Sequence, residues 1–155
     1  MTLYLQEELF SFDHFDIWDE QDNVCFQVDR EFLTWGKTLH VQDAQGRRCA
    51  TVHHVPFSLP CCFELETAGG TLELQRHFAL FSRSYSIESL GWEVEGDFLG
   101  VDYAITKGGR EVAHIEKAWP AFHDRYRLEV ADPADVMAAL CTVLAIDCCD
   151  EHSQN

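Results

Sequence analysis

Lysine is scarce in this chain. Only three of the 11 basic residues are Lys (Lys37, Lys107, Lys117), and 155 residues carry 27 acidic ones, for a net charge of −16. That shortage of cations argues against a nucleic-acid partner, because neutralising phosphates needs a basic surplus on some face. It weighs in the same way against peripheral docking on anionic headgroups by charge alone. Long apolar runs are also missing. The longest, 136–146, is interrupted by Thr142 and covers 11 residues, against the ~20 that a membrane-spanning helix needs. The opening Met1-Thr-Leu-Tyr-Leu-Gln-Glu-Glu has neither a basic nor an apolar leader segment, so a cytoplasmic chain without a signal peptide is expected. No Gly-Lys-Ser/Thr or strand-to-helix glycine motif is present to cradle a nucleotide, and no cofactor is expected.

Cysteine, by contrast, is plentiful. Seven are present, an odd number, with two adjacent pairs, Cys61-Cys62 and Cys148-Cys149. Adjacent cysteines rarely bond each other, and a secreted scaffold favours an even, spaced set. The composition fits a reducing compartment in which Cys serves as a small apolar residue.

Most of the chain alternates with period two. Phe63 and Leu65 interleave with Glu64 and Glu66, Trp92 and Val94 with Glu93 and Glu95, and Tyr126, Leu128 and Val130 with Arg127 and Glu129. Each such run is a strand with one dry and one wet face. Turn-forming clusters punctuate them at 19–23, 43–46, 68–70, 89–91 and 107–109. An aromatic precedes each new hairpin: Phe10, Phe32, Phe57, Phe78, Phe98 and Trp119, spaced 22, 25, 21, 20 and 21 residues apart. The reading is a repeated β unit, with one strand near 3–9, five hairpins between 13 and 117 and one strand near 124–130, twelve in all. The first strand is the weakest, since Gln6-Glu7-Glu8 breaks its alternation.

After Val130 the period changes. Asp132 is a good N-cap and Pro133 suits a first helical turn. Val136, Met137, Leu140, Val143, Leu144 and Ile146 then occupy nearly the whole helix circumference. A helix apolar all round is buried on all sides. Twelve strands with one wet face close to remove their edges, and a barrel wider than about eight strands leaves a lumen. The expected fold is mainly β (α+β): a twelve-stranded antiparallel closed barrel around a buried C-terminal α-helix. The rival, a β-sandwich with a flanking helix, requires a polar helix stripe that is absent before Asp147. A single domain over 1–149 with a flexible tail at 150–155 is expected, as a monomer.

The segment from Trp92 through Gly96, Asp97, Phe98 and Gly100 to Tyr103 resembles the W-x-[IV]-x-G-D-F-x-G-x-[DE]-Y signature of the LURP-one-related proteins. The C-terminal 132–147, the opening 4–11 and the stretch 32–39 are similar to that family's closing helix and first repeats. The resemblance covers essentially the whole chain. It implies a Tubby C-terminal-like fold, twelve strands around a central helix, with phospholipid scramblases as distant relatives and no defined activity. Phosphoinositide binding in tubby proteins uses basic residues of the barrel wall, and no such cluster aligns here residue by residue. The scramblases' acidic calcium-binding segment has no counterpart either.

Several groups merit chemical scrutiny. Asp97, between Gly96 and Gly100, reads as a carboxylate satisfying backbone amides at a barrel corner, with the glycines marking a bend or bulge. Arg76, His77 and Arg83 flank one connection and form the candidate anion or headgroup site. Cys148, Cys149 and His152 are the candidate metal or thiol site, although zinc sites use Cys-x₂₋₄-Cys spacing plus a second ligand pair. Cys148 closing a buried helix is the simpler account. His53 and His54 on a strand face opposite ways and cannot share one ion. No nucleophile-elbow or papain-like signature surrounds any Ser or Cys. A non-catalytic binding or interaction module is therefore the expected function, with phospholipid binding as the alternative.

Overall fold

The computed structural model describes residues 1–6, 14–31, 37–78, 83–97, 102–117 and 125–153. Twelve strands run β1 (Thr2–Gln6), β2 (His14–Trp18), β3 (Val24–Glu31), β4 (Thr38–Asp43), β5 (Arg48–His54), β6 (Cys62–Thr67), β7 (Gly70–His77), β8 (Arg83–Ile87), β9 (Trp92–Gly96), β10 (Asp102–Lys107), β11 (Arg110–Lys117) and β12 (Arg125–Val130). Each pairs antiparallel with its sequence neighbours, and β1 closes the barrel on β12. Closure leaves no sheet edge to template aggregation. The expected alternation is present: Phe63, Leu65, Val94 and Leu128 are buried, while Glu64, Glu66, Glu93, Glu95 and Glu129 point to water. Among the described residues, β1 and β2 share one paired rung, Tyr4 opposite Trp18.

One end of the barrel is made of tight turns. The Asp19 carboxylate accepts the backbone N–H groups of Gln21 (2.8 Å) and Asn23 (2.9 Å). Asp43 does the same for Gln45 and Arg47 and also accepts from Arg47 Nε at 2.7 Å. These local hydrogen bonds hold both carboxyls below the usual aspartate range. Gly108 and Gly109 have φ of 57° and 77°, the pair of positive values that a two-residue type I′ hairpin requires.

α1 (Val136–Ser153) follows a 3₁₀ turn at Pro133–Asp135, whose N-cap Asp132 accepts the Ala134 N–H at 2.9 Å. The expected N-cap and proline therefore head a 3₁₀ turn, and the α-helix itself begins at Val136, the first residue of the apolar pattern. Ala139, Leu140, Cys141, Thr142, Leu144 and Ala145 have no exposed surface, and the helix lies against β5, β6 and β12. Thr142, the polar interruption in the run, satisfies its hydroxyl by donating to the Ala138 carbonyl at 2.8 Å. Among the described residues, no helix is long and apolar enough to cross a membrane.

Because α1 leaves the turn-bearing end after β12, its C-terminal turns arrive at the opposite end. Among the described residues, the 55–61 connection and Phe78, just past β7, lie there. Of the aromatics that mark the repeat in the sequence, Phe57 and Phe78 fall at this end. Phe10, Phe32, Phe98 and Trp119 lie outside the described residues.

Candidate functional site

Phe57, Leu59 and Phe78 are 88%, 93% and 89% exposed, at the end of the barrel where α1 terminates. The connection that carries the first two is pinned on both sides. Val55 N–H donates to the Cys62 carbonyl at 2.9 Å, the Ser58 hydroxyl donates to the Val55 carbonyl at 2.8 Å, and Cys62 N–H donates to the Ser58 hydroxyl at 3.0 Å. Phe78 arrives on the neighbouring strand: Arg76 N–H meets the Cys61 carbonyl at 3.0 Å, and Phe78 lies two residues beyond that rung as Leu59 lies two before it. Phe57 also sits at φ +60°, a left-handed conformation costing a non-glycine residue roughly 1–2 kcal/mol. Neither local backbone preference nor core burial accounts for an aromatic held this way. Three large apolar side chains are thus left in water at this end of the barrel, where exposed apolar groups of this size are uncommon.

Directly beneath this rim, Cys149 Sγ lies 3.1 Å from Cys61 Sγ. Cys149 is buried and Cys61 half-buried. The Cys149 thiol donates to Cys61 and pulls the Cys61 thiol below its ordinary value, with further help from the positive charges of Arg76 and Lys37. Cys149 is pushed up, chiefly by the same hydrogen bond and then by burial. Cys62, on the opposite face of the strand, is pushed up to about 11 by desolvation, with Glu73 and Glu64 adding to it. Cys141 is raised to about 12 by its enclosure. All seven cysteines are free thiols.

The trio Arg76, His77 and Arg83 is divided by the pleat. Arg76 pairs with Tyr85 and Arg83 with Gly96, both in the row of inward-facing residues. His77 points outward, where its Nε2 meets the Ser86 hydroxyl at 2.6 Å. Arg76 acts electrostatically on both Cys61 and Cys149, so its charge sits against the C-terminal turns of α1, the end of a helix that favours a cation. Cys148 and Cys149 do not converge on one point: Cys149 turns to Cys61, and Cys148 is buried in the helix packing. The side chain of His152 lies outside the described residues. Among the described residues, no group of three or more His, Cys, Asp or Glu is placed to hold a metal ion. His53 and His54 do face opposite ways, His53 bonding the Thr38 hydroxyl at 2.7 Å and His54 placing its ring 5.1 Å from that of Phe63.

Trp92 and Tyr103 are buried. Gly96 is a regular rung of β9 opposite Tyr103, with no register shift between β9 and β10. A Cβ there would lie 2.2 Å from Tyr103 Cε1. Its role is therefore to make room for a ring, not to bend the strand. Asp97 accepts the Asp102 N–H at 3.4 Å and donates its own N–H to the Asp102 carbonyl at 3.0 Å, closing the strand pair. Phe98 and Gly100 lie outside the described residues. Beside Tyr103, a gap of about 10 Å³ separates wall and helix, lined by Ile115, Tyr126, Val143, Ile146 and Asp147. There the Tyr126 hydroxyl donates to Asp147 Oδ1 at 3.1 Å.

Comparison with known proteins agrees with this architecture. The LURP-one-related family model matches residues 1–147. The uncharacterized protein YxjI of Bacillus subtilis (strain 168) is 28% identical over 148 residues, covering 94% of this chain and 90% of that protein. No solved structure matches.

Proposed function

The chain belongs to the LURP-one-related family, and from that premise we propose that it acts as a non-catalytic, cytoplasmic binding module whose contact surface is the apolar rim of Phe57, Leu59 and Phe78. The observation that carries this reading is the near-complete exposure of those three side chains on a hydrogen-bonded frame. Large aromatic anchors of this kind dominate the energetics of protein–protein contacts. Panning a random peptide library on the full chain tests it. Enriched peptides are expected to lose at least tenfold in affinity for a Phe57→Ser, Leu59→Ser, Phe78→Ser triple variant, whose melting temperature stays near wild type because the side chains bury little. Peptides that bind the triple variant equally well would overturn the rim as the contact surface. A reproducible turnover in a metabolite screen, abolished by one substitution, would overturn the non-catalytic reading.

A second reading takes the partner to be a phospholipid surface. It is supported by Phe78, exposed just beyond the end of β7 that carries Arg76 and near the start of β8 that carries Arg83, since apolar insertion beside cations is how peripheral proteins hold anionic bilayers. Flotation at low ionic strength with phosphatidylcholine vesicles, with and without a phosphoinositide, is expected to show headgroup-dependent binding weakened by Arg83→Ala. Absence of flotation under those conditions, where screening is least, would remove this reading.

A further inference from the structure

We infer that Cys61 and Cys149 form a reversible oxidation site that joins the C-terminal turns of α1 covalently to the head of β6. The geometry is already close. The sulfurs are 3.1 Å apart, and a disulfide of about 2.05 Å needs an approach of about one ångström, which side-chain rotation at the two cysteines and a small shift of the helix end share. The two cysteines come from elements 88 residues apart, so the contact is made by the fold and is absent from the unfolded chain.

The pair is also chemically asymmetric in the manner that a peroxide-sensing thiol pair needs. Cys61 is half-buried, so a small oxidant reaches it, and it stands near Arg76 and Lys37, which favour its thiolate. Cys149 is 2% exposed and stays a thiol until its neighbour reacts. The co-reactant is hydrogen peroxide. The Cys61 thiolate attacks one peroxide oxygen; the S–O bond forms, the O–O bond breaks, and the departing hydroxide takes up a proton to become water. Cys149 sulfur then attacks the Cys61 sulfenic acid sulfur. The S–S bond forms, the S–O bond breaks, and the leaving hydroxide takes the Cys149 proton as a second water. Two thiols lose two electrons in all, and the peroxide is reduced to two waters.

The neighbouring cysteines are poorly placed to compete. Cys62 lies on the outer face of β6 beside Glu64 and Glu73, whose charges oppose its thiolate. Cys148 is 1% exposed and Cys141 fully enclosed.

The experiment treats the full chain with stoichiometric hydrogen peroxide, counts thiols in denaturant, and maps cross-linked peptides by fragmentation that separates Cys61 from Cys62 and Cys148 from Cys149. The expected result is a fall from the seven thiols of the reduced protein to five, with one Cys61–Cys149 cross-link. A linkage closing so long a loop should also raise the melting temperature by about 10 °C, reversed by dithiothreitol. Cys149→Ala should leave a dimedone-reactive sulfenic acid on Cys61, and Cys61→Ser should leave Cys149 reduced. Retention of all seven thiols, or a cross-link through Cys62 or Cys148, would overturn the inference. The wild-type count decides it even where a variant fails to fold.

Discussion

Leu140→Asp is expected to abolish the cooperative melting transition. Leu140 lies in the second turn of α1 with no exposed surface, between Ala139 and Cys141 that are equally enclosed. Truncating such a leucine to alanine already costs about 2–5 kcal/mol through lost transfer energy and the cavity left behind. An aspartate adds the desolvation of a carboxylate with no partner in the lumen, and the sum approaches the roughly 5–15 kcal/mol that holds a domain together. Circular dichroism on heating should show no sigmoidal unfolding, and gel filtration an expanded or aggregated chain. Leu140→Met, which keeps volume and polarity, should cost less than about 1.5 kcal/mol and melt as the wild type does. The pair separates a buried central helix from a flanking one. A helix lying outside the barrel would accept Leu140→Asp with a modest fall in melting temperature, and that result would contradict the architecture.

The barrel was legible in the sequence because nearly every strand separates its two faces cleanly: Phe63 and Leu65 against Glu64 and Glu66 have no other stable home than a half-buried sheet. The central helix was legible because its apolar residues leave no polar stripe, and its one interruption, Thr142, bonds to its own backbone. The site was less so, for three physical reasons. Phe57 and Phe78 stand out as repeat markers, but aromatics ordinarily point to burial. The exposure of Phe57 depends on how the pinned 55–61 connection leaves the wall, and that of Phe78 on its place just past the end of β7. The Cys61–Cys149 contact joins segments that no local pattern relates, and it follows from where the last turns of α1 meet the barrel. Arg76, His77 and Arg83 are close along the chain, but the period of two of a strand sends His77 to the face opposite Arg76.

Gly96→Ala is expected to lower stability by about 3 kcal/mol, near the upper end of what overpacking a core costs, and to lower the melting temperature by about 6–12 °C. On backbone entropy alone the sign should be the reverse, since glycine within a strand is worth roughly 0.5–1 kcal/mol less than alanine. Packing decides the matter. The added methyl would lie 2.2 Å from Tyr103 Cε1, 2.4 Å from Cδ1 and 2.9 Å from Cζ, and the ring it strikes is only 3% exposed. The gap beside Tyr103 is about 10 Å³, room for one water-sized sphere and too little for a displaced phenol. Tyr103 therefore covers the bare backbone of its cross-strand partner, an aromatic filling the space that a glycine leaves. If so, the two positions must couple. With Tyr103→Val in place, itself destabilising, Gly96→Ala should cost nothing or stabilise slightly, giving an interaction energy of about 3 kcal/mol in the double-mutant cycle measured by urea denaturation. Strict additivity would mean that Gly96 is needed for its backbone conformation instead, and the glycine and tyrosine of the signature would then be independent requirements rather than one packed pair.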